Sequence, residues 1–438
     1  MWTEILNMAP IAVASICCAL AVSTGHVPLQ ADQAAALGGR LASNQAGRRS
    51  SQRQPAAPEV PIYKVDPAWP KMPLRSKYLL QGIPTMVTDH NDHIWVLSRP
   101  RDIRPDENGA STTPPRAECC VAAPAILEFD TSGNLLRAWG GPGHHPLWPE
   151  NEHTVVVDRQ GNVWLSASGR GEGILKFTGD GQFLWDFGHR GPKPQPGQTL
   201  PPLRENNQDT ETLPNGVFIF TLDEEARELF LVEGKRVLVY DMDKGTFKRG
   251  WGGHGKPLSE ISNDPTPPYD WKAGPAPDQQ EFAPALHCIH ISVDGLVYVC
   301  ERGSNRIQVF TKQGKFVSQF FVHPSTPARG PECGGPGHAT LGMCGTIYNL
   351  TFSHDPQQKY LFAVDGTNHT IWIHDRKNGN LVGSIGGLGR MAGQFFWIDA
   401  IAMDSHGNLY TGEVWTGKRI QKFNLMNGDG IRRFRAHE

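Results

Sequence analysis

Two histidines and an aspartate stand at one position of a recurring pattern, and together they have the chemistry to hold a metal ion. In NEHTVVVDRQGNVWLSAS, His153 is followed by Asp158 at +5, Gly161 at +8 and Trp164 at +11. The same offsets from His287, in HCIHISVDGLVYVCER, give Ser292, Gly295 and Tyr298. From Asp399, in DAIAMDSHGNLYTGEV, they give Asp404, Gly407 and Tyr410. Neutral imidazole and carboxylate both ligate zinc, and three protein ligands leave a position for water or substrate. Two histidines with one carboxylate equally suit non-haem iron. Two arginines share a second register point. Arg99 in SRP and Arg302 in CERG each lie fifteen residues past the head of their unit. A guanidinium pair suits a substrate carboxylate. The competing role is a salt bridge within the sheet, since Glu301 adjoins Arg302.

The elements that must position these groups are short strands. Each unit reads as strand, polar turn with glycine, strand. Two more strand patterns follow, as in ILKFTGDGQFLWDFG, RIQVFTKQGKFVSQF and RIQKFNLMNGDGIRRF. Three further units fit with turns of varied length. One begins at Pro84 and keeps Asp89 and Trp95, its outer strands following a long insertion as AILEFDTSGNLLRAWG. The others begin at Gly216 and Tyr348. Six four-stranded units with heads roughly 50 to 70 residues apart predict an all-β, six-bladed propeller with antiparallel blades. A stack of separate sandwiches would not require one recurring turn register. Each head enters the innermost strand, so Pro84, His153, Gly216, His287, Tyr348 and Asp399 should face the axial channel. Alternate blades then contribute His153, His287 and Asp399. His290, three residues beyond His287, should point to the opposite face by strand alternation.

Composition narrows the class. The chain has 438 residues, 48 glycines, 35 prolines and a net charge of −2. Glycine and proline at this level favour many turns over long helices. The near-neutral charge leaves no electrostatic footprint for nucleic acid. The apolar run Ala9–Val22 is too short to span a bilayer and suits the core of a signal peptide, although MWTEILN carries no Lys or Arg. A signal or N-terminal anchor over 1–31, a disordered linker over 32–62 and a propeller over 63–438 are expected. The product is then an exported monomer, periplasmic or extracellular, with no membrane span in the mature chain. Six cysteines remain beyond Cys17 and Cys18, with no C-x-x-C zinc spacing. An even count suggests disulfides, and Cys333 with Cys344 is the easiest pair to join.

The stretches GILKFTGDGQFL, GLVYVCERGSNRIQVF and GNLYTGEVWTGKRIQKF resemble NHL-type repeats. With WPENEHTVVVD and ERGSNRIQVF, the chain from about Tyr63 onward resembles the peptidyl-α-hydroxyglycine α-amidating lyases and their bacterial relatives. That resemblance implies a six-bladed propeller with an axial zinc, a structural calcium, and cleavage of a carbinolamide to glyoxylate and a peptide amide. It implies that His153 and His287 are metal ligands and that Arg99 and Arg302 assist catalysis. The sequence departs from the family twice. Asp399 stands where a third histidine is expected, and VEGKRVLVYD has Lys235 and no tyrosine where a tyrosine is expected. Tyr240 does not replace it by position, whereas Tyr348, a channel head, is a candidate substitute. A small molecule or peptide is the expected substrate. The rival reading is a non-catalytic propeller that binds a ligand or partner protein.

Overall fold

The computed structural model describes residues 60–193, 195, 198, 207–277, 279–329, 333 and 344–426. The expected signal peptide and most of the expected linker lie outside the described residues. Six four-stranded antiparallel sheets make the fold, and the described residues contain no α-helix. Blade one comprises Gly82–Thr88, Ile94–Arg99, Ile126–Phe129 and Leu135–Trp139. Blade two comprises Glu152–Val157, Val163–Ala167, Leu175–Phe177 and Phe183–Asp186. Blade three runs from Ile219–Asp223 to Phe247–Trp251, blade four from Leu286–Ile291 to Phe316–Phe321, and blade five from Asn349–Phe352 to Leu381–Gly386. In each of these five, strand order in space follows order in sequence.

Blade six closes the ring differently. Its inner three strands are Ile398–Met403, Leu409–Glu413 and Ile420–Leu425, but its outer strand is Tyr63–Asp66 from the start of the propeller. Tyr63 pairs with Leu425 and Asp66 with Lys422. The GDGIRRF stretch expected to supply that strand lies outside the described residues. Pairing the first propeller strand with the last sheet closes the ring and covers the outer edge of Ile420–Leu425.

The recurring +5 and +11 residues have a common physical purpose. Asp158 accepts from the backbone N–H of Gln160 and Asn162, and its other oxygen accepts from the Trp164 indole at 3.0 Å. Asp89 does the same for Asn91, His93 and Trp95. In blade six Asp404 accepts from His406, Asn408 and the Tyr410 hydroxyl. One carboxylate thus caps the first hairpin and satisfies the polar atom of a buried aromatic ring. That ring packs between blades. Trp95 belongs to the cluster between blades one and two, Trp164 to that between two and three, and Tyr410 to that between six and one. Six apolar clusters, one at each boundary between neighbouring blades, make up the core.

Cys333 is bonded to Cys344, as expected from their spacing, with Cα atoms 5.4 Å apart. Cys288 is bonded to its cross-strand partner Cys300, and Cys119 to Cys120. Paired cysteines are compatible with export. Among the described residues no helix is long and apolar enough to cross a membrane.

Candidate functional site

The inner strand of a blade does not begin with regular alternation. Glu152 pairs with Ala167 and Thr154 with Ser166, so His153 is an extra residue in the ladder. Leu286 pairs with Glu301 and Cys288 with Cys300, which makes His287 the extra residue of blade four. Ile398 pairs with Glu413 and Ala400 with Gly412, which does the same for Asp399. A β-bulge re-aims one side chain out of the ladder. The same device in blades two, four and six turns two imidazoles and a carboxylate toward one axis.

That bulge also corrects the expectation for His290. Counting three residues along a regular strand puts His287 and His290 on opposite faces. The inserted residue shifts the parity, and both histidines turn toward blade five, His287 to the Tyr348 carbonyl and His290 to the Asn349 side chain. His290 Nε2 is 2.8 Å from the side-chain oxygen of Asn349, and burial lowers its pKa.

A second correction concerns blade three. Gly216 is not its head. The inner strand is Ile219–Asp223, with Ile219 opposite Val232, which puts Phe218 at the head register. The +5 rule carries that signal, because Asp223 lies five residues after Phe218. Gly216 is the left-handed residue two before the head, with φ of 74°, and Ala285 and Trp397 occupy the same place in blades four and six.

The head groups are close together and nearly inaccessible. His153, His287 and Asp399 are 4%, 6% and 5% exposed. The two imidazole rings are 5.2 Å apart between centroids, at 79°. Two imidazoles on one tetrahedral ion at about 2.0–2.1 Å would have centroids about 5 Å apart. His287 Nδ1 donates to the Tyr348 carbonyl at 2.7 Å, which leaves Nε2 as the nitrogen with a lone pair to offer. Asp399 Oδ1 is buried with no hydrogen-bond partner and lies 4.0 Å from His287 Nδ1. The Phe218 ring is 3.7 Å from that of His153, and Thr85 holds the His153 carbonyl through its hydroxyl. The two imidazoles have the type and spacing that a divalent metal takes, while the Asp399 carboxylate lies beside the His287 nitrogen that Tyr348 already engages. The three side chains do not present all their ligand atoms within 4.8 Å of one another, so rotamer changes would have to close the set on an ion.

Charge around the heads is set by burial and two cations. Burial pushes His153 well below the usual imidazole range, helped by His287, Arg99 and Arg302. Burial likewise takes His287 down to about 3, with Arg302 and Arg99 adding to the effect. Both rings are consequently neutral, the form that ligates. Burial raises Asp399 to about 7, against the opposing pull of Arg99 and Arg302. The two arginines thus act on all three groups. Arg99 Nε donates to the Glu152 carbonyl at 2.7 Å, and the Arg302 guanidinium lies 4.9 Å from the centre of the Tyr348 ring. Tyr348 is a channel head as expected. Its hydroxyl is 3.4 Å from that of Thr367, and burial raises it to about 12.

Among the described residues, one group does bring three ligand atoms within 4.8 Å, namely Asp89, His93 and Glu128, which the sequence reading missed. Its members are already engaged. Asp89 caps a hairpin, while Glu128 accepts from Arg137 at 2.8 Å and lies 2.7 Å from His93 Nδ1. At the blade-three position where a tyrosine was expected, Lys235 reaches away to the carbonyls of Ser262 and Asp264.

No family model matches the chain, and no curated protein matches it. Solved structures do. A streptogramin B lyase aligns with a TM-score of 0.44 and 14% identity, over 83% of this chain and 98% of that one. A protein of unknown function from Bacteroides thetaiotaomicron aligns with a TM-score of 0.44 and 13% identity, over 79% of this chain and 70% of that one. At this level of likeness the propeller assignment rests on the strands of this chain itself.

Proposed function

We propose that the chain is a metal-dependent carbon–nitrogen lyase of the amidating-lyase type, acting on a carbinolamide that bears a carboxylate. The observation that carries this reading is the head of the channel. Two neutral imidazoles and an unpartnered carboxylate oxygen meet there within the field of two guanidinium groups. His153, His287 and Asp399 would hold the ion, with zinc as the first candidate and iron as the second. When bound, it supplies a Lewis acid for the substrate hydroxyl. Arg99 and Arg302 hold the substrate carboxylate and exclude competing neutral ligands. In the reaction a C=O bond forms and the C–N bond breaks, its electron pair passing to nitrogen. The hydroxyl proton passes overall to that leaving nitrogen, so that a phenol which gives up its proton to nitrogen is restored by the one the hydroxyl loses. Tyr348 is held neutral by burial, so its phenol is suited to act as that donor.

The position of Lys235 favours a second reading. No tyrosine reaches the heads from the blade-three turn, and a propeller with the same arginine pair and no turnover is a carboxylate-binding protein. Metal analysis of the purified protein and of His153→Ala, with glyoxylate release from a peptidyl-α-hydroxyglycine, tests both. One divalent ion lost in the variant, with glyoxylate release, supports the lyase. Metal-free wild-type protein without turnover rejects it.

The aspartate carries its own expectation. It makes the ligand set less positive than three histidines would, which weakens a bound Lewis acid. Wild-type turnover should be slow, and Asp399→His at matched zinc occupancy should raise it. Fast wild-type turnover abolished by Asp399→His would refute this account of the substitution.

A further inference from the structure

We infer that the mouth of the channel between blades five and six is a subsite for an aromatic side chain of the substrate, next to the carboxylate-bearing group. This rests on the reading of Arg99 and Arg302 as a carboxylate clamp. An aromatic run leads outward from the heads. Tyr348 meets Trp397 at 6.2 Å between ring centroids, and Trp397 stacks on Trp415 at 5.6 Å with 19° between planes. Trp415 is 45% exposed, so its ring offers surface to solvent. It also borders the approach to the head of blade one, where a Cβ on Gly82 would lie 3.7 Å from the Trp415 backbone nitrogen. Trp397 immediately precedes Ile398 and Asp399, so the run begins beside a proposed ligand.

The backbone shows that these rings are held in place at a cost. Trp397 and Trp415 have φ of 55° and 56°, a region bulky residues avoid. The equivalent of Trp397 is glycine in blade three (Gly216) and alanine in blade four (Ala285), so the propeller itself has no need of a large ring there. His369, also at φ of 55°, accepts from the Trp397 backbone N–H at 2.9 Å and stacks on Phe396. Val414 N–H donates to the Trp397 carbonyl at 2.9 Å. The ledge is therefore pre-organised from both sides. A flat, rigid, partly exposed indole favours a planar ring in offset or edge-on contact. An aromatic residue adjoining a C-terminal glycine unit has that shape.

The test needs no turnover. Affinities of N-acetyl-phenylalanyl-glycine and N-acetyl-alanyl-glycine are measured by calorimetry on wild type, Trp415→Ala, Trp415→Phe and Arg302→Gln. Wild type should bind the phenylalanyl ligand about tenfold more tightly, one stacking contact. Trp415→Ala should bring the ratio near one and Trp415→Phe should keep part of it, which also controls for folding. Arg302→Gln should weaken both ligands and leave the ratio. Equal wild-type affinities, or a ratio that survives Trp415→Ala, overturn the subsite while the carboxylate clamp stands. If neither ligand binds wild type, the clamp falls and the subsite with it.

Discussion

Arg306, four residues after Arg302, holds the buried Glu301, and removing it should be costly. Arg306 and Glu301 are fully buried, and the guanidinium makes bonds of 2.8–3.0 Å to both carboxylate oxygens. Arg306 also donates to the carbonyls of Gln279 and Glu281 at 3.2 Å, tying the long connection before blade four to the strand. Arg306→Met keeps most of the side-chain volume but leaves Glu301 buried without its countercharge. Breaking a buried pair in this way costs about 3–5 kcal/mol, a large part of the ~5–15 kcal/mol that holds a typical domain. Burial already raises the Glu301 pKa, and Arg306 opposes that rise. Without Arg306 the folded pKa climbs further above the unfolded value. The variant should therefore lose additional stability as pH rises through the folded pKa. Glu301→Gln with Arg306→Met removes the stranded charge and should recover most of the loss. Urea unfolding of the three proteins at pH 5 and pH 8 measures this. A cost below about 1 kcal/mol for Arg306→Met, or a double variant no better than the single one, would refute the reasoning.

Burial raises Asp365 in the folded chain to about 6, with bonds from Trp372 and Asn368 opposing the rise. Stability present at pH 4 should then be lost as pH climbs through about 6, by roughly 3 kcal/mol at most, and thermal melts of Asp365→Asn should lack that slope. At Gly216, with φ of 74°, a Cβ would run into the Gly169 carbonyl oxygen, so Gly216→Ala should cost more than about 2 kcal/mol in denaturant unfolding. Cys333 and Cys344 should be recovered as one linked peptide pair in non-reducing mapping, and free thiols at both would contradict the structure.

Sequence by itself determined the architecture, because a repeat at fixed offsets is a local signal. The carboxylate of Asp158, five residues past the head, must meet the hairpin N–H groups and the Trp164 indole in every such unit, whatever surrounds it. For the same reason the heads at Pro84, His153 and Asp399 were legible, and those at His287 and Tyr348 followed from the strand–turn–strand pattern with serine at +5. Gly216 was misplaced because the blade-three glycine was read ahead of the +5 aspartate, which pointed to Phe218. Tertiary structure alone decided three things. A bulge is a pairing event between strands, so the common face of His287 and His290 could not be read from alternation. The outer partner of Ile420–Leu425 is Tyr63–Asp66, some 360 residues earlier, because ring closure is a contact between strands distant in sequence. The perturbed protonation of His153, His287 and Asp399 comes from burial and from two arginines, Arg99 at the end of a blade-one strand and Arg302 in the turn after Glu301. Residue types supplied the candidate ligands, but water exclusion at the centre of the ring gives them their charge states.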